Sequence, residues 1–395
     1  MPGLLDGRVA IVTGAGGGIG RSVAEHLGSL GASVVVNDFG GSVDGAGNSA
    51  SPAEETAKLI EAAGGKAVTN TTSVTEMVNG EALIQQALDE FGRLDIVVTA
   101  AGILRDRMIF NMSEEEWDQV IDVHLKGTFT VVKHASILFR QQRSGRIVTF
   151  SSESGLLGNA GQANYGAAKS GIAGFTKVVA RDLGKYGVTV NCIAPRAATR
   201  MVATVPQEIK DKMANSGIDL IPKKASMEPE DVAPMVSFLA SDYAADVNGQ
   251  IFLVHGGTIA LMSQPRVIRS MYNKGGGFSV EQIDQLAPQH LLRGPGAYQP
   301  DAPNVGKMSA GEKSLEGKVA IVTGSGRGIG AGVAKLLAAQ GASVVVNDIG
   351  AALDGSGGDQ SPAAQVVAEI GENGGNAVAS FDSVTEATGG NNIIE

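Results

Sequence analysis

The sequence predicts an α/β protein built on a doubly wound parallel sheet of the Rossmann type, followed by a truncated second copy of that fold. Short apolar, β-branched runs alternate with longer helical patterns through the first 260 residues. Such alternation is typical of a parallel sheet covered by helices on both faces. A glycine-rich loop follows the first run. Residues 7–76 also align without a gap on residues 317–386, with 38 of 70 positions identical.

The first copy opens with a βαβ unit. The apolar run Val9–Val12 leads into the glycine loop, a helical pattern and a second run at Val34–Val36, which ends at an acidic residue. The alternation continues with a strand at 94–99, a helix at 113–140, a strand at 146–151, a helix at 163–185, and strands at 188–193 and 250–254. We therefore expect one complete domain over residues 1–260.

The rest of the chain predicts an extension with a linker, residues 261–314, and then the second copy, residues 315–395. The extension holds a short amphipathic stretch at 280–286, and residues 293–314 have the Gly, Pro, Ala and Asp content of a linker. The second copy stops inside a helix after three expected strands. Its first strand, at 319–322, is predicted to be an uncovered sheet edge that can recruit other strands.

Composition and charge disfavour several classes of protein. The 395 residues are 43% hydrophobic and 18% charged, as in globular chains. A net charge of -10 disfavours nucleic acid and anionic lipid as partners. No apolar run approaches the roughly 20 residues that span a bilayer. We expect a soluble intracellular protein, cytoplasmic or, in a eukaryote, peroxisomal, that forms homo-oligomers.

The cysteine and histidine content predicts no metal site. A single cysteine, Cys192, cannot form an intramolecular disulfide or a cysteine zinc cluster, which indicates a reducing compartment. The five histidines show no short-range pairing; they are His26, His124, His134, His255 and His290.

The loop between the first strand and helix carries the pattern of a dinucleotide-binding turn. Gly14 permits the tight turn, Gly18 lets a pyrophosphate approach the main chain, and Gly20 lets helix and strand pack closely. Asp38 ends the next strand, 24 residues after Gly14. A carboxylate there accepts both ribose hydroxyls and repels a 2′-phosphate, which predicts NAD rather than NADP.

The same arrangement recurs in the second copy. Its cofactor-binding candidates are Gly324, Gly328, Gly330 and Asp348. Arg327 stands beside this loop and leaves the cofactor preference of the second copy open.

Three residues of the first copy predict proton transfer. Tyr165 and Lys169 are four apart in a helical pattern, so they project from one face, and Ser152 lies 13 residues before the tyrosine at a strand end. A nearby ammonium group stabilises a phenolate and lowers the pKa of a tyrosine from about 10. We expect Tyr165 to exchange a proton with a substrate hydroxyl.

Together the runs TGAGGGIG, SSESGLLGNAGQANYGAAK and VNCIAP resemble the short-chain dehydrogenase/reductase family over residues 4–260, and again at half length over 314–395. The resemblance implies that Ser152 holds the substrate oxygen, that Tyr165 is the acid/base, and that Lys169 also binds the nicotinamide ribose. It implies further cofactor-binding positions at Ile19, Thr72, Ser73, Val74, Ala100, Gly102, Pro195 and Thr199.

More specific runs narrow the resemblance. NDFGG with the glycine-rich insert after it, AAGILRDRMIFNMSEEEW, VIDVHLKGTF and APRAATRM look like the (3R)-hydroxyacyl-CoA dehydrogenase units of peroxisomal multifunctional enzyme type 2 and bacterial relatives. Fungal versions carry two such units in tandem, similar to the repeat here. This resemblance implies hydride transfer between NAD and the 3-hydroxyl of an acyl-CoA substrate.

The sequence also departs from the wider family. His124 stands where most members have asparagine, as in the acyl-CoA branch; it is either a packing residue or an orderer of water in a proton relay. Thr72 replaces the adenine-contacting aspartate that Asp382 matches in the second copy, and Ala100 stands in a TAAG run in place of the usual NNAG.

The same sequence is compatible with other functions. Arg266, Arg269 and Lys274 are candidates for binding the CoA phosphates, although a solvated charged face would have the same composition. The alternative enzymes are a 3-oxoacyl-ACP reductase and a dehydrogenase of steroids or other secondary alcohols, because this fold serves many alcohols. The alternative of another class is a non-catalytic dinucleotide-binding or assembly module.

Overall fold

A computed structural model describes residues 3–197, 226–292, 315–351 and 357–395. The chain divides into two compact units, residues 1–264 and 265–395. The sequence-based boundary at residue 260 lies four residues before this division, and the predicted linker at 293–314 lies outside the described residues. None of the described helices combines the length and apolar character needed to span a bilayer.

The first unit contains an eight-stranded sheet in the order β3-β2-β1-β4-β5-β6-β7-β8. Its strands are β1 (Val9–Thr13), β2 (Ser33–Asn37), β3 (Lys66–Asn70), β4 (Ile96–Thr99), β5 (Gly145–Phe150), β6 (Val188–Pro195), β7 (Ile251–His255) and β8 (Thr258–Leu261). Its described α-helices are α1 (Gly18–Ser29), α2 (Ser51–Ala62), α3 (Met77–Phe91), α4 (Glu114–Ile121), α5 (Gly127–Gln142), α6 (Glu153–Leu157), α7 (Ala163–Gly184) and α8 (Ala233–Ala240). The doubly wound sheet predicted from the alternation is confirmed.

Strand β8 corrects the expectation of an entirely parallel sheet, because it pairs antiparallel with β7. Only Gly256 and Gly257 separate the two strands, and both have positive φ, at 38° and 80°. A two-residue connection can only make a hairpin, since a parallel crossover needs a dozen or more residues.

The long helix expected at 113–140 is interrupted. Ser113 caps α4 through a reciprocal capping box with Glu116, and a π-helical turn, Asp122–Lys126, separates α4 from α5. Such turns are frequent at functional sites because the extra residue redirects a side chain. His124 lies in the middle of this turn.

Helices cover both faces of the sheet, and the central strands are buried on each. One apolar cluster gathers Val12, Val34 and Val98 with residues of α1, α2 and α8. The other gathers Ile11, Val35 and Val97 with residues of α3, α5 and α7. The two clusters hold the sheet between its helices. Open α/β sheets bind ligands at the carboxyl ends of their strands.

The second unit has the three strands that the repeat predicts, in the order β11-β10-β9. They are β9 (Val319–Thr323), β10 (Ser343–Asn347) and β11 (Asn376–Ser380), all parallel. The described helices of this unit are α9 (Val280–His290), α10 (Gly328–Ala339), α11 (Ser361–Glu372) and α12 (Ala387–Ile394). Val319 is 75% exposed, whereas its counterpart Val9 is 3% exposed and packs in the apolar cluster with residues of α3, α5 and α7. Exposed and half-buried residues alternate along β9, so the exposure of Val319 belongs to one face of the small sheet.

Candidate active site

The glycine loop of the first unit leaves no room for a side chain at Gly14 or Gly20. Gly14 has φ of +65°, and a Cβ there would lie 2.7 Å from the main chain of Ala101. A Cβ on Gly20 would lie 2.1 Å from the carbonyl oxygen of Gly14. These contacts show that the main chains after β1 and β4 and at the start of α1 approach one another closely. The N-terminus of a helix such as α1 is a favourable place for a phosphate.

Asp38 is anchored beside this loop. Its two carboxylate oxygens accept main-chain hydrogen bonds from Gly16, at 2.8 Å, and from Gly40, at 2.7 Å. In the second unit, Asp348 accepts the same pair of bonds from Gly326 and Gly350, at 2.8 and 2.7 Å. Each loop therefore carries a fixed carboxylate next to a helix N-terminus, and this arrangement fits the ribose and pyrophosphate of a dinucleotide.

The loop after β3 differs between the units. In the first unit, the Thr72 hydroxyl donates to Asn70 Oδ1 at 2.8 Å and the side chain is exposed. In the second, Asp382 accepts from Asn392 Nδ2 at 2.9 Å and from Ser380 Oγ at 3.3 Å. Thr72 keeps lone pairs with which it can accept a hydrogen bond, but it lacks the charge of Asp382.

The other predicted cofactor positions lie on the same sheet edge. The carbonyl oxygens of Ser73 and Val74 accept hydrogen bonds from Asn79 and Thr130. Gly102 packs so closely on His124 that a Cβ would lie 2.3 Å from Cε1 of the imidazole. Ala100 follows β4, Gly18 and Ile19 open α1, and Pro195 ends β6. Thr199 lies outside the described residues.

The three proton-transfer candidates come together at the ends of β5 and α6 and on α7. Ser152 caps α6, with its hydroxyl accepting from Ser154 N at 3.2 Å, and it hydrogen-bonds the Tyr165 hydroxyl. Lys169 Nζ lies 5.6 Å from the centre of the Tyr165 ring and donates to the carbonyl oxygen of Phe150 at 2.8 Å. The sequence spacing therefore identified side chains that are neighbours in space.

The prediction that the pKa of Tyr165 lies below its ordinary value was wrong. Burial raises the pKa of Tyr165 to about 12; the hydrogen bond from Ser152 acts in the opposite direction, and the negative charge of Asp106 adds to the rise. Burial also lowers the pKa of Lys169 to about 8. The spacing of Tyr165 and Lys169 indicates only the attraction between ammonium and phenolate, whereas desolvation of both groups dominates in the fold.

His124 is fully buried against the tyrosine. Its Nε2 lies 2.8 Å from the carbonyl oxygen of Ile103 and 3.1 Å from the nitrogen of that residue. Burial, followed by the charge of Lys169, holds its pKa well below the ordinary value, so the imidazole is neutral. Its Nδ1 has no hydrogen-bond partner among the described residues.

Several neighbouring residues carried no signal in the sequence spacing. Gln162 Nε2 donates to Asp106 at 2.7 Å, and Asn164 Nδ2 donates to the carbonyl oxygen of Arg105 at 2.9 Å, tying the loop after β4 to the start of α7. An ion pair joins Glu153 to Arg196. These partners are tens of residues apart, so only the fold reveals them.

Two other predictions from the sequence concern the CoA phosphates and a metal ion. Arg266, Arg269 and Lys274 belong to the second compact unit. Within the described ranges, no group of three or more His, Cys, Asp or Glu side chains is arranged to hold a metal ion.

The chain is similar in sequence to several known proteins. A sequence profile described as enoyl-(acyl carrier protein) reductase matches residues 14–258, and one described as short chain dehydrogenase matches residues 318–395. The chain is 42% identical over 356 residues to the peroxisomal hydratase-dehydrogenase-epimerase of Neurospora crassa, covering 87% of this chain but only 38% of that protein.

Two shorter proteins match most of their own length. The chain is 44% identical over 273 residues to a hydroxyacyl-CoA dehydrogenase of Mycobacterium tuberculosis, covering 67% of this chain and 82% of that protein. Among solved structures, a short chain dehydrogenase from Mycobacterium avium is similar with a TM-score of 0.63 and 41% identity, covering 76% of this chain and 99% of that one.

Proposed function

Because the chain belongs to the short-chain dehydrogenase/reductase family, we propose that it transfers hydride between NAD and the 3-hydroxyl group of a (3R)-3-hydroxyacyl-CoA thioester. The main support for this proposal is that Ser152, Tyr165 and Lys169 lie close together at the carboxyl edge of the sheet. The glycine loop lies at the same edge. The choice of thioester is supported by the relatives, which are named as a hydroxyacyl-CoA dehydrogenase and a hydratase-dehydrogenase-epimerase.

Asp38 supports NAD over NADP. Its carboxylate is held in place by two main-chain N–H groups, so it cannot easily turn away from a 2′-phosphate. A fixed negative charge at this position repels that phosphate and accepts the free ribose hydroxyls of NAD. In the second unit, Asp348 offers the same anchor, and we propose that its loop with Gly324, Gly328 and Gly330 binds the adenosine half of a dinucleotide.

The chain supplies the proton transfer, while a bound nicotinamide dinucleotide supplies the hydride acceptor. Ser152 orients the substrate oxygen, and the Tyr165 oxygen takes the hydroxyl proton during oxidation. A pKa of about 12 keeps Tyr165 mainly as the phenol at neutral pH. Oxidation is therefore expected to accelerate as the pH rises and more phenolate forms, whereas reduction starts from the protonated form.

The test is NADH formation by the purified chain, with (3R)- and (3S)-3-hydroxyacyl-CoA offered in parallel and NAD compared with NADP. Turnover with NAD and only the (3R) thioester is the expected result. Turnover of the (3S) thioester alone, or of neither isomer despite measurable NAD binding, would contradict the proposal.

Two alternatives predict different outcomes. A reductase of 3-oxoacyl chains on acyl carrier protein would prefer NADPH and the protein-bound thioester. A dehydrogenase of steroids or other secondary alcohols would leave both thioesters unused. A non-catalytic dinucleotide-binding or assembly module would keep its behaviour in Tyr165→Phe, whereas the enzyme would lose turnover. Homo-oligomer formation and the cellular compartment stay predictions.

A further inference from the structure

An ion pair between Glu153 and Arg196 lies directly beside the proposed proton-transfer group. Glu153 is the first residue of α6 and follows Ser152, and Arg196 follows the last residue of β6. The guanidinium contacts both carboxylate oxygens, through Nε and through a terminal nitrogen at 2.5 Å. The pair bridges the carboxyl ends of two neighbouring parallel strands, β5 and β6.

Each partner is tied to a different part of the site. The main-chain nitrogen of Arg196 donates to the carbonyl oxygen of Val254 at 3.0 Å, so Arg196 is also attached to β7. Ser152 accepts main-chain bonds from Gly155 and Leu156, at 3.0 and 3.1 Å, so it moves with α6. Since α6 has only five residues, tertiary contacts must set its orientation, because so short a helix is not stable alone.

The surroundings make the pairing strong. The Glu153 side chain is 13% exposed and that of Arg196 is 25% exposed, and two-point contacts between guanidinium and carboxylate are among the strongest hydrogen-bonded pairs. The imidazole of His255, which ends β7, lies within reach of the charges of Arg196, Glu153 and Asp231. His255 is fully buried, and neither ring nitrogen has a hydrogen-bond partner among the described residues. Burial, followed by the charge of Arg196, lowers its pKa, so Arg196 rather than His255 neutralises Glu153.

We propose that Glu153 and Arg196 form a positioning pair that holds the Ser152 hydroxyl in register with Tyr165. This inference rests on the proposed function, in which Ser152 orients the substrate oxygen. Removing one partner leaves a largely covered charge without its counterion. The remaining charged side chain is then expected to move toward water or another partner. This movement would shift α6, and Ser152 would shift with the helix.

The experiment compares wild type with Glu153→Gln, Arg196→Gln, the double variant and Arg196→Lys. Each single neutral variant is expected to lose about tenfold to a hundredfold in kcat, since displacements near 1 Å cost that much, with the Kd for NAD little changed. The double variant is expected to be no worse than the poorer single one, because it leaves no unpaired charge. Arg196→Lys keeps the charge but loses the two-point contact, so its kcat should lie between that of wild type and that of Arg196→Gln.

Asp242→Asn is the matched control. Asp242 pairs with Arg146 near the opposite end of β5, so its loss should lower Tm without changing kcat. If the Glu153 and Arg196 variants behave like this control, the pair is only structural and the inference is overturned.

Crystal structures of the same variants keep this test separate from the proposed function. The Ser152 Oγ to Tyr165 Oη distance should lengthen in the single variants, whatever substrate the enzyme uses. An unchanged distance would overturn the positioning role. If wild type turns over neither 3-hydroxyacyl-CoA isomer while the distance changes as expected, the proposed substrate fails and the positioning pair stands.

Discussion

The imidazole of His124 meets the ring of Tyr165 edge-on, with centroids 5.1 Å apart and planes at 86°. The same imidazole reaches Ile103 through Nε2, so it connects the π-helical turn, the loop after β4 and the tyrosine. Edge-to-face aromatic pairs contribute about 0.5–1.5 kcal/mol beyond burial, and the connection restricts where the phenol can lie.

Replacing His124 by phenylalanine separates the contribution of its ring contact from that of its hydrogen bond. His124→Phe keeps an aromatic edge but leaves the main chain of Ile103 without its partner, and we expect a loss of about 1–3 kcal/mol in the free energy of unfolding with a lower kcat. Denaturant titration and steady-state kinetics measure both. His134→Phe, on α5 outside the site, is the control. If His124→Phe has the stability and the kcat of wild type, the imidazole contributes only packing.

Lys169 should leave a signature in the pH dependence of stability. Burial lowers its pKa to about 8, below the value of about 10.4 in an unfolded chain. Between these values the unfolded chain binds the extra proton, so the free energy of unfolding should rise with pH, by up to about 1.4 kcal/mol per pH unit. Urea titrations from pH 8 to 10 should show this rise in wild type and in exposed Lys185→Met, and less of it in Lys169→Met. Equal slopes in all three would contradict the shift.

Asp38 should control the choice of cofactor. Asp38→Asn removes the charge that repels a 2′-phosphate and retains an oxygen that can accept from one of the two main-chain donors. We expect the preference for NAD over NADP, measured as a ratio of Kd values, to fall about tenfold or more. Asp44→Asn removes an exposed carboxylate in the following loop and should leave the ratio unchanged. An unaltered ratio in Asp38→Asn would place the discrimination elsewhere.

A substitution at Thr72 is expected to increase the affinity for NAD. Asp382 occupies the equivalent place in the second unit, where its carboxylate accepts hydrogen bonds. Thr72→Asp should tighten NAD binding severalfold, because a charged acceptor binds an amino group more strongly than a hydroxyl does. Isothermal titration gives the Kd. Thr71→Asp adds the same charge one residue away and should not tighten binding; equal gains would mean a nonspecific effect of charge.

Two glycine substitutions test the packing of the nucleotide loop. Gly20→Ala places a methyl group 2.1 Å from the Gly14 carbonyl oxygen and should weaken both NAD binding and stability. Gly174→Ala, within α7, meets nothing within 4 Å and should raise Tm slightly, since alanine favours the helix by about 1 kcal/mol. The pair separates a steric requirement from a general effect of losing glycine. Equal behaviour of the two variants would remove the steric argument.

The sequence predicted much of this site because its chemistry is local. Gly14, Gly18 and Gly20 mark a turn whose main chain must come close to its neighbours, and Tyr165 and Lys169 share a helix face through their spacing of four. The alternation of apolar runs with helical patterns likewise predicts the parallel sheet and the three strands of the second unit. Each of these features follows from residues within one turn, strand or helix.

Other features needed the packed chain. The Glu153 contact with Arg196 spans 43 residues, and the rise of the Tyr165 pKa comes from burial by distant elements. The antiparallel course of β8 depends on a hairpin beginning at the last parallel strand. Periodicity and motif spacing report on neighbours in sequence, whereas desolvation and ion pairing depend on which neighbours the completed sheet brings together in space.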